Sequence, residues 1–137
     1  MARDETMSPR YAAGLGARRG VAAEAIVELV QRVAAQHGAP LSRVTLCTLD
    51  SKAEEAGFHE AARTLGVDLV FLPLAALKAR KGAAPTHSPR VQAMFGVGSV
   101  AEAAALVGAG PGSRLLAPRV STPYAACALA ISAEEEE

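Results

Sequence analysis

The sequence contains no tryptophan, two tyrosines and three phenylalanines in 137 residues, so the aromatic platforms that hold single-stranded nucleic acids are missing. Only two cysteines occur, Cys47 and Cys127, each inside an apolar run and at no CxxC or metal-ligand spacing. Buried free thiols and a reducing cytoplasm are the expected reading. The histidines His37, His59 and His87 are scattered and lack Cys or Asp partners at ligand spacing, so no protein metal site or metal cofactor is expected. No apolar run approaches the ~18 residues of a membrane span, and Met1 to Pro9 carries two acids and no apolar stretch. Neither a membrane contact nor a signal peptide is expected. Phosphate-loop and nucleophile-elbow motifs are absent as well. In a GxGxxG dinucleotide motif read from Gly14, the third glycine would fall on Arg19.

What is present is small and apolar. Half the residues are hydrophobic, mostly Ala, Val and Leu, which suits helices packed closely on a sheet. The length fits one domain able to bury about two thirds of its unfolded surface. Formal charge is zero, but unevenly distributed: −1 over residues 1–68, +5 over 69–133 and −4 over Glu134 to Glu137. Glu102 is the one carboxylate among six Lys and Arg in the middle block. That balance favours an anionic ligand, with plain solubility as the competing explanation.

Strand and helix alternate along the chain. Tyr11 to Leu15 reads as a strand running into a glycine loop at Gly14-Leu15-Gly16. A helical stripe follows at Ala22, Ala25, Ile26, Leu29, Val30 and Val33, closed by His37-Gly38-Ala39-Pro40. Val44 to Leu49 is a second strand, and Ser51 and Glu54 have the spacing of a capping box opening a second helix with Phe58, Ala61, Ala62 and Leu65 inward. Val67 to Leu72 is a third strand, and Pro73 starts a short helix toward Arg80. Lys81 to Pro89 reads as a loop carrying His87, and Ser88-Pro89 starts a short helix. Ser99 and Glu102 again have capping-box spacing at the head of a helix from Val100 to Val107. Arg114 to Val120 and Tyr124 to Ile131 are two closing strands joined tightly enough for a hairpin. The expected fold is α/β: a three-layer α/β/α sandwich on a mostly parallel, mixed sheet of about five strands. Residues 10–132 form the domain, 1–9 a disordered leading segment and 133–137 an acidic tail.

Ligands of such sheets sit beyond the carboxyl ends of the parallel strands. Arg18, Arg19, Asp50, Lys52 and Glu55 are therefore expected near one rim, with Gly14 and Gly16 letting a ligand approach the backbone. Each has a plainer reading: Lys52 and Glu55 as a surface pair, Ser99 and Glu102 as a cap.

Order and spacing over Tyr11 to Ala130 resemble the family that includes stand-alone CobE and the C-terminal domain of CbiG. The resemblance rests on Gly14-Leu15-Gly16-Ala17-Arg18-Arg19-Gly20, on Thr48-Leu49-Asp50-Ser51-Lys52-Ala53-Glu54-Glu55, on Ser88 and Val91, and on Gly98-Ser99-Val100-Ala101-Glu102. Relatives of that family often carry Cys where Ala17 stands, which removes a thiol role from this loop. They also carry Lys near the position of Arg119, a change that keeps the positive charge.

The resemblance implies cobalamin (vitamin B12) biosynthesis. It implies a cleft that binds or hands on a precorrin or hydrogenobyrinic-acid-type tetrapyrrole, a corrinoid that would be ligand or substrate and not a resident cofactor. Gly14, Gly16, Arg18, Arg19, Thr48, Asp50, Ser88, Ser99 and Arg119 are then the expected substrate contacts. A second implied activity is that of a cobalt-precorrin-5A hydrolase, which opens a lactone and releases acetaldehyde. Glu55 or Glu102 would be the base and Lys52 the electrophile. A third reading is a non-catalytic subunit docked on another cobalamin-pathway enzyme through the Ala-rich stretch Ala101 to Ala105, taken as surface.

Overall fold

The computed structural model describes residues 10–79 and 100–133. The elements run β1 (Tyr11–Ala17), α1 (Ala23–Gln36), β2 (Val44–Leu49), α2 (Ala56–Leu65), β3 (Leu69–Leu72), α3 (Leu74–Ala79), α4 (Val100–Ala109), β4 (Arg114–Ser121) and β5 (Ala125–Ile131). One five-stranded sheet has the order β3-β2-β1-β5-β4, parallel from β3 to β1 and antiparallel across β1-β5 and β5-β4. It is the mixed α/β sandwich that the alternation predicts. The C-terminal hairpin lies beside β1, so the first strand is the centre of the sheet.

Alternation of side chains along the central strands builds two cores. Ala13 and Leu15 of β1, Leu46 of β2 and Cys127 and Leu129 of β5 face α1 and α2. There they meet Ile26, Leu29, Val30, Val33, Phe58 and Ala61, all at most 1% exposed. On the opposite face Ala12, Cys47, Leu49, Ala128 and Ala130 meet α3 and α4. The stripe of α1 thus faces inward at helical spacing. The glycine stop is where the sequence puts it, with Gly38 at φ +67° and the Ala39 N–H donating to the Ala34 carbonyl at 2.9 Å.

Three sequence expectations change. β1 continues to Ala17, so Gly14 and Gly16 are strand residues and not a loop. A Cβ at Gly14 would collide with the Ala101 carbonyl and the Ala105 amide, so this glycine lets α4 lie against β1. The capping box at Ser51 and Glu54 does not open a helix: Asp50–Lys52 is a 3₁₀ turn, and α2 starts only at Ala56 with no side-chain cap on its first turn. Finally, Ala101 to Ala105 is buried, not surface, because α4 is wedged between the sheet and α3. That removes the feature on which docking through this stretch rested. Arg80, His87, Ser88, Ser99 and the two terminal segments lie outside the described residues.

Candidate functional site

β4 runs in the same direction as β1, β2 and β3, because both of its intervening pairings through β5 are antiparallel. The carboxyl ends of four strands therefore share one rim. A cleft of about 790 Å³ opens at that rim, with the first turn of α4 on one side of it. This falls in the upper part of the range of ~300–1,000 Å³ for small-molecule sites.

Its lining follows from the ends of the strands. Gly16 to Arg19 come from the end of β1, Thr48, Leu49 and Lys52 from the end of β2, and Val100 and Ala101 from the first turn of α4. Arg119 and the hairpin turn Ser121 to Ala126 complete it. Gly16 is open on the cleft side, since a Cβ there would meet only Val100, at 4.0 Å. Among the described lining residues Arg18, Arg19, Lys52 and Arg119 carry positive charge and none is a carboxylate. Four like charges around one concave space repel one another, and an anion seated among them relieves that repulsion.

The acids lie behind this lining and hold backbone. Glu55 Oε1 accepts the Gly20 N–H at 2.8 Å, pinning the loop that carries Arg18 and Arg19. Gly20 sits at φ +79°, a conformation in which a side chain would be strained. Glu102 is fully buried in the first turn of α4, and its Oε2 accepts the Arg119 N–H at 2.9 Å. That N–H is available because β4 is irregular. Between the pairs Ala117↔Leu129 and Val120↔Cys127 lie two residues of β4, Pro118 and Arg119, against one of β5, Ala128, and this bulge takes Arg119 out of the ladder. Thr48 is also fully buried, and its hydroxyl donates to the Leu15 carbonyl at 2.7 Å, beyond the last β1-β2 pair, Gly14↔Cys47.

Of the residues expected from sequence, Gly16, Arg18, Arg19, Thr48, Lys52 and Arg119 line one cleft. Gly14 lies under α4, Asp50 is exposed on the 3₁₀ turn, and Glu55 and Glu102 stand outside the described lining. The hairpin turn itself is where the sequence puts it, but Thr122 and Tyr124 join the cleft lining without having been among the expected site residues; the signal was Thr-Pro-Tyr between two strands, which returns the chain to the rim. Among the described residues no group of His, Cys, Asp and Glu is placed to hold a metal ion, and no helix is long and apolar enough to cross a membrane. Burial pushes the thiols of Cys47 and Cys127 up to about 12, on opposite faces of the sheet.

Comparison with known proteins places this geometry. The family model described as "Cobalamin synthesis G C-terminus" matches residues 11–131. A protein CobE from Sinorhizobium sp. is 36% identical over 118 residues, covering 85% of this chain and 77% of its own. The 1.7 Å crystal structure of CobE, a protein from the cobalamin biosynthetic pathway, superposes with a TM-score of 0.86 at 34% identity, over 93% of this chain and 94% of that one. The cobalamin biosynthesis protein ChiG of Agrobacterium tumefaciens gives a TM-score of 0.69 at 34% identity, over 90% and 99%. A cobalamin biosynthesis protein G homologue from Sulfolobus solfataricus shares the fold, with a TM-score of 0.65 at 18% identity over 89% of this chain and 36% of that one.

Proposed function

This chain is a cobalamin biosynthesis protein of the cobalamin synthesis G C-terminus family, and on that premise we propose that its cleft binds a corrinoid intermediate by the carboxylates on the rim of the macrocycle. One observation carries the reading: four cations and no carboxylate among the described residues that line a cleft of about 790 Å³. A corrin precursor is a large ring edged with acetate and propionate groups, so its charges are spread around its perimeter. Arg18 and Arg19 at the end of β1, Lys52 after β2 and Arg119 on β4 reach the cleft from three separate strands. Arginine suits the task because its planar fork can hold a carboxylate by two parallel hydrogen bonds.

Lactone hydrolysis is the less supported alternative. Lys52 lines the cleft as an electrophile would, but Glu55 and Glu102, the expected bases, each direct an oxygen to a backbone N–H. A base for water would have to stand within hydrogen-bond reach of the reacting centre.

Titration with hydrogenobyrinic acid tests the proposal. A saturable change in corrin absorbance is expected, weakening as salt is added because the contacts are ionic. The absence of any saturable change at low salt would remove the binding reading. Acetaldehyde formed from cobalt-precorrin-5A by the purified protein would favour the hydrolase instead.

A further inference from the structure

Charge alone does not account for the hairpin turn at the mouth of the cleft. Among the described residues Tyr124 and Val70 are the large hydrophobic side chains left exposed, and Tyr124, at 64%, is the more exposed. It also lines the cleft, next to the end of β1, since the neighbouring Ala125 pairs with Ala17. Its backbone is firmly set. The Thr122 hydroxyl oxygen accepts the N–H groups of Tyr124 and Ala125, each at 3.1 Å, while the Thr122 N–H donates to the Ala125 carbonyl at 2.8 Å. Pro123 fixes φ at the second position of the same turn. The result is an aromatic ring in water on a rigid support, beside a cationic cleft.

Such a ring does nothing for the core, but it offers an apolar face at low entropic cost. From this we infer that Tyr124 is a ligand contact, and that the cleft takes a ligand with a flat, apolar, conjugated face and a periphery of carboxylates. The ring of Tyr124 stacks on that face while Arg18, Arg19, Lys52 and Arg119 hold the periphery. This rests on the corrinoid-binding reading and adds to it what the cations cannot supply. A cluster of positive charge accepts any polyanion, whereas a stacking surface discriminates in favour of a conjugated macrocycle over a flexible aliphatic polycarboxylate.

The two contributions separate in a binding experiment on the intact chain. The probes are hydrogenobyrinic acid, a porphyrin octacarboxylate and butane-tetracarboxylate, each titrated against the wild-type protein, Tyr124→Ala and Tyr124→Phe at several salt concentrations. Tyr124→Ala should weaken both macrocycles about tenfold while leaving the salt dependence and the affinity for the aliphatic acid unchanged. Tyr124→Phe should stay within about twofold of wild type, because the ring and not the hydroxyl makes the contact. Wild-type affinity for both macrocycles in Tyr124→Ala overturns the stacking role and leaves the corrinoid-binding reading standing. An equal loss for all three probes, or a loss in Tyr124→Phe as large as in Tyr124→Ala, also overturns it. A wild-type protein that binds neither macrocycle removes both readings together.

Discussion

The Glu102 carboxylate, fully buried in the first turn of α4, accepts the backbone N–H of Arg119 at 2.9 Å and so ties the helix on one face of the sheet to a bulged segment of its edge strand. The bond spans 17 residues of sequence and joins two parts of the cleft lining, α4 and β4. Arg119 thereby gains a fixed backbone from which its guanidinium can act.

Glu102→Ala should destabilise the fold by about 1–3 kcal/mol, because it leaves the Arg119 N–H without this acceptor and a void beneath the bulge. Urea unfolding measures this as a lower midpoint at unchanged slope. Glu102→Gln keeps an acceptor oxygen and should recover part of the loss; equal destabilisation by both substitutions would show that the charge matters more than the hydrogen bond.

Glu55→Ala is expected to act differently. Its partner, Gly20, lies on an exposed loop, so global stability should change by less than about 1 kcal/mol. The loop carrying Arg18 and Arg19 loses its tether, and affinity for hydrogenobyrinic acid should fall severalfold. Rescue by Glu55→Gln would identify the carboxylate as a positioning group for the loop; failure of Gln to rescue would point to direct chemistry.

Gly14 and Gly16, two residues apart on one strand, should respond oppositely to alanine. At Gly14 the added methyl meets the backbone of α4 at Ala101 and Ala105, which cannot move away cheaply. Overpacking of this kind costs about 1–3 kcal/mol or more. Gly16→Ala meets only Val100 at 4.0 Å, so the fold should be retained and the effect should be read in ligand affinity. Thermal melts of the two variants separate these outcomes.

The cysteines predict an alkaline limit. In the unfolded chain both thiols ionise near 9, while burial holds them to about 12 in the fold. The folded state favours the neutral thiols, so their contribution to stability is whole below pH 9 and is lost as the pH climbs toward 12. The urea midpoint should fall across that window, less so in a Cys47→Ala, Cys127→Ala protein. At pH near 8 a thiol reagent should leave the native protein unlabelled and react only after unfolding.

Much of the fold was legible because its signals are local. The α1 stripe, the glycine stops at Gly38 and Gly66 and the run Val44 to Leu49 each obey a periodicity or a backbone preference that needs no distant partner. Arg18, Arg19 and Lys52 could be gathered on one rim from sequence, since parallel strands put their carboxyl ends together, while Arg119 was a candidate only through the family resemblance. At Asp50 to Glu55 the local signal misleads, since Ser51 and Glu54 satisfy a capping pattern while Asp50–Lys52 is bent into a 3₁₀ turn.

The sequence by itself therefore determined the alternation of elements, the family and the cationic character of one end of the sheet. Only the tertiary structure decided what each acid and glycine does. Gly14 and Gly16 are alike in the sequence, yet the crossing of α4 covers one and leaves the other open. The family resemblance made Glu55 and Glu102 candidate bases, but the parallel pairing of β1 with β2 brings the Gly20 N–H to one and the bulge in β4 brings the Arg119 N–H to the other. These are contacts between segments far apart in the chain, and they depend on strand order and register, which no local pattern of residues encodes.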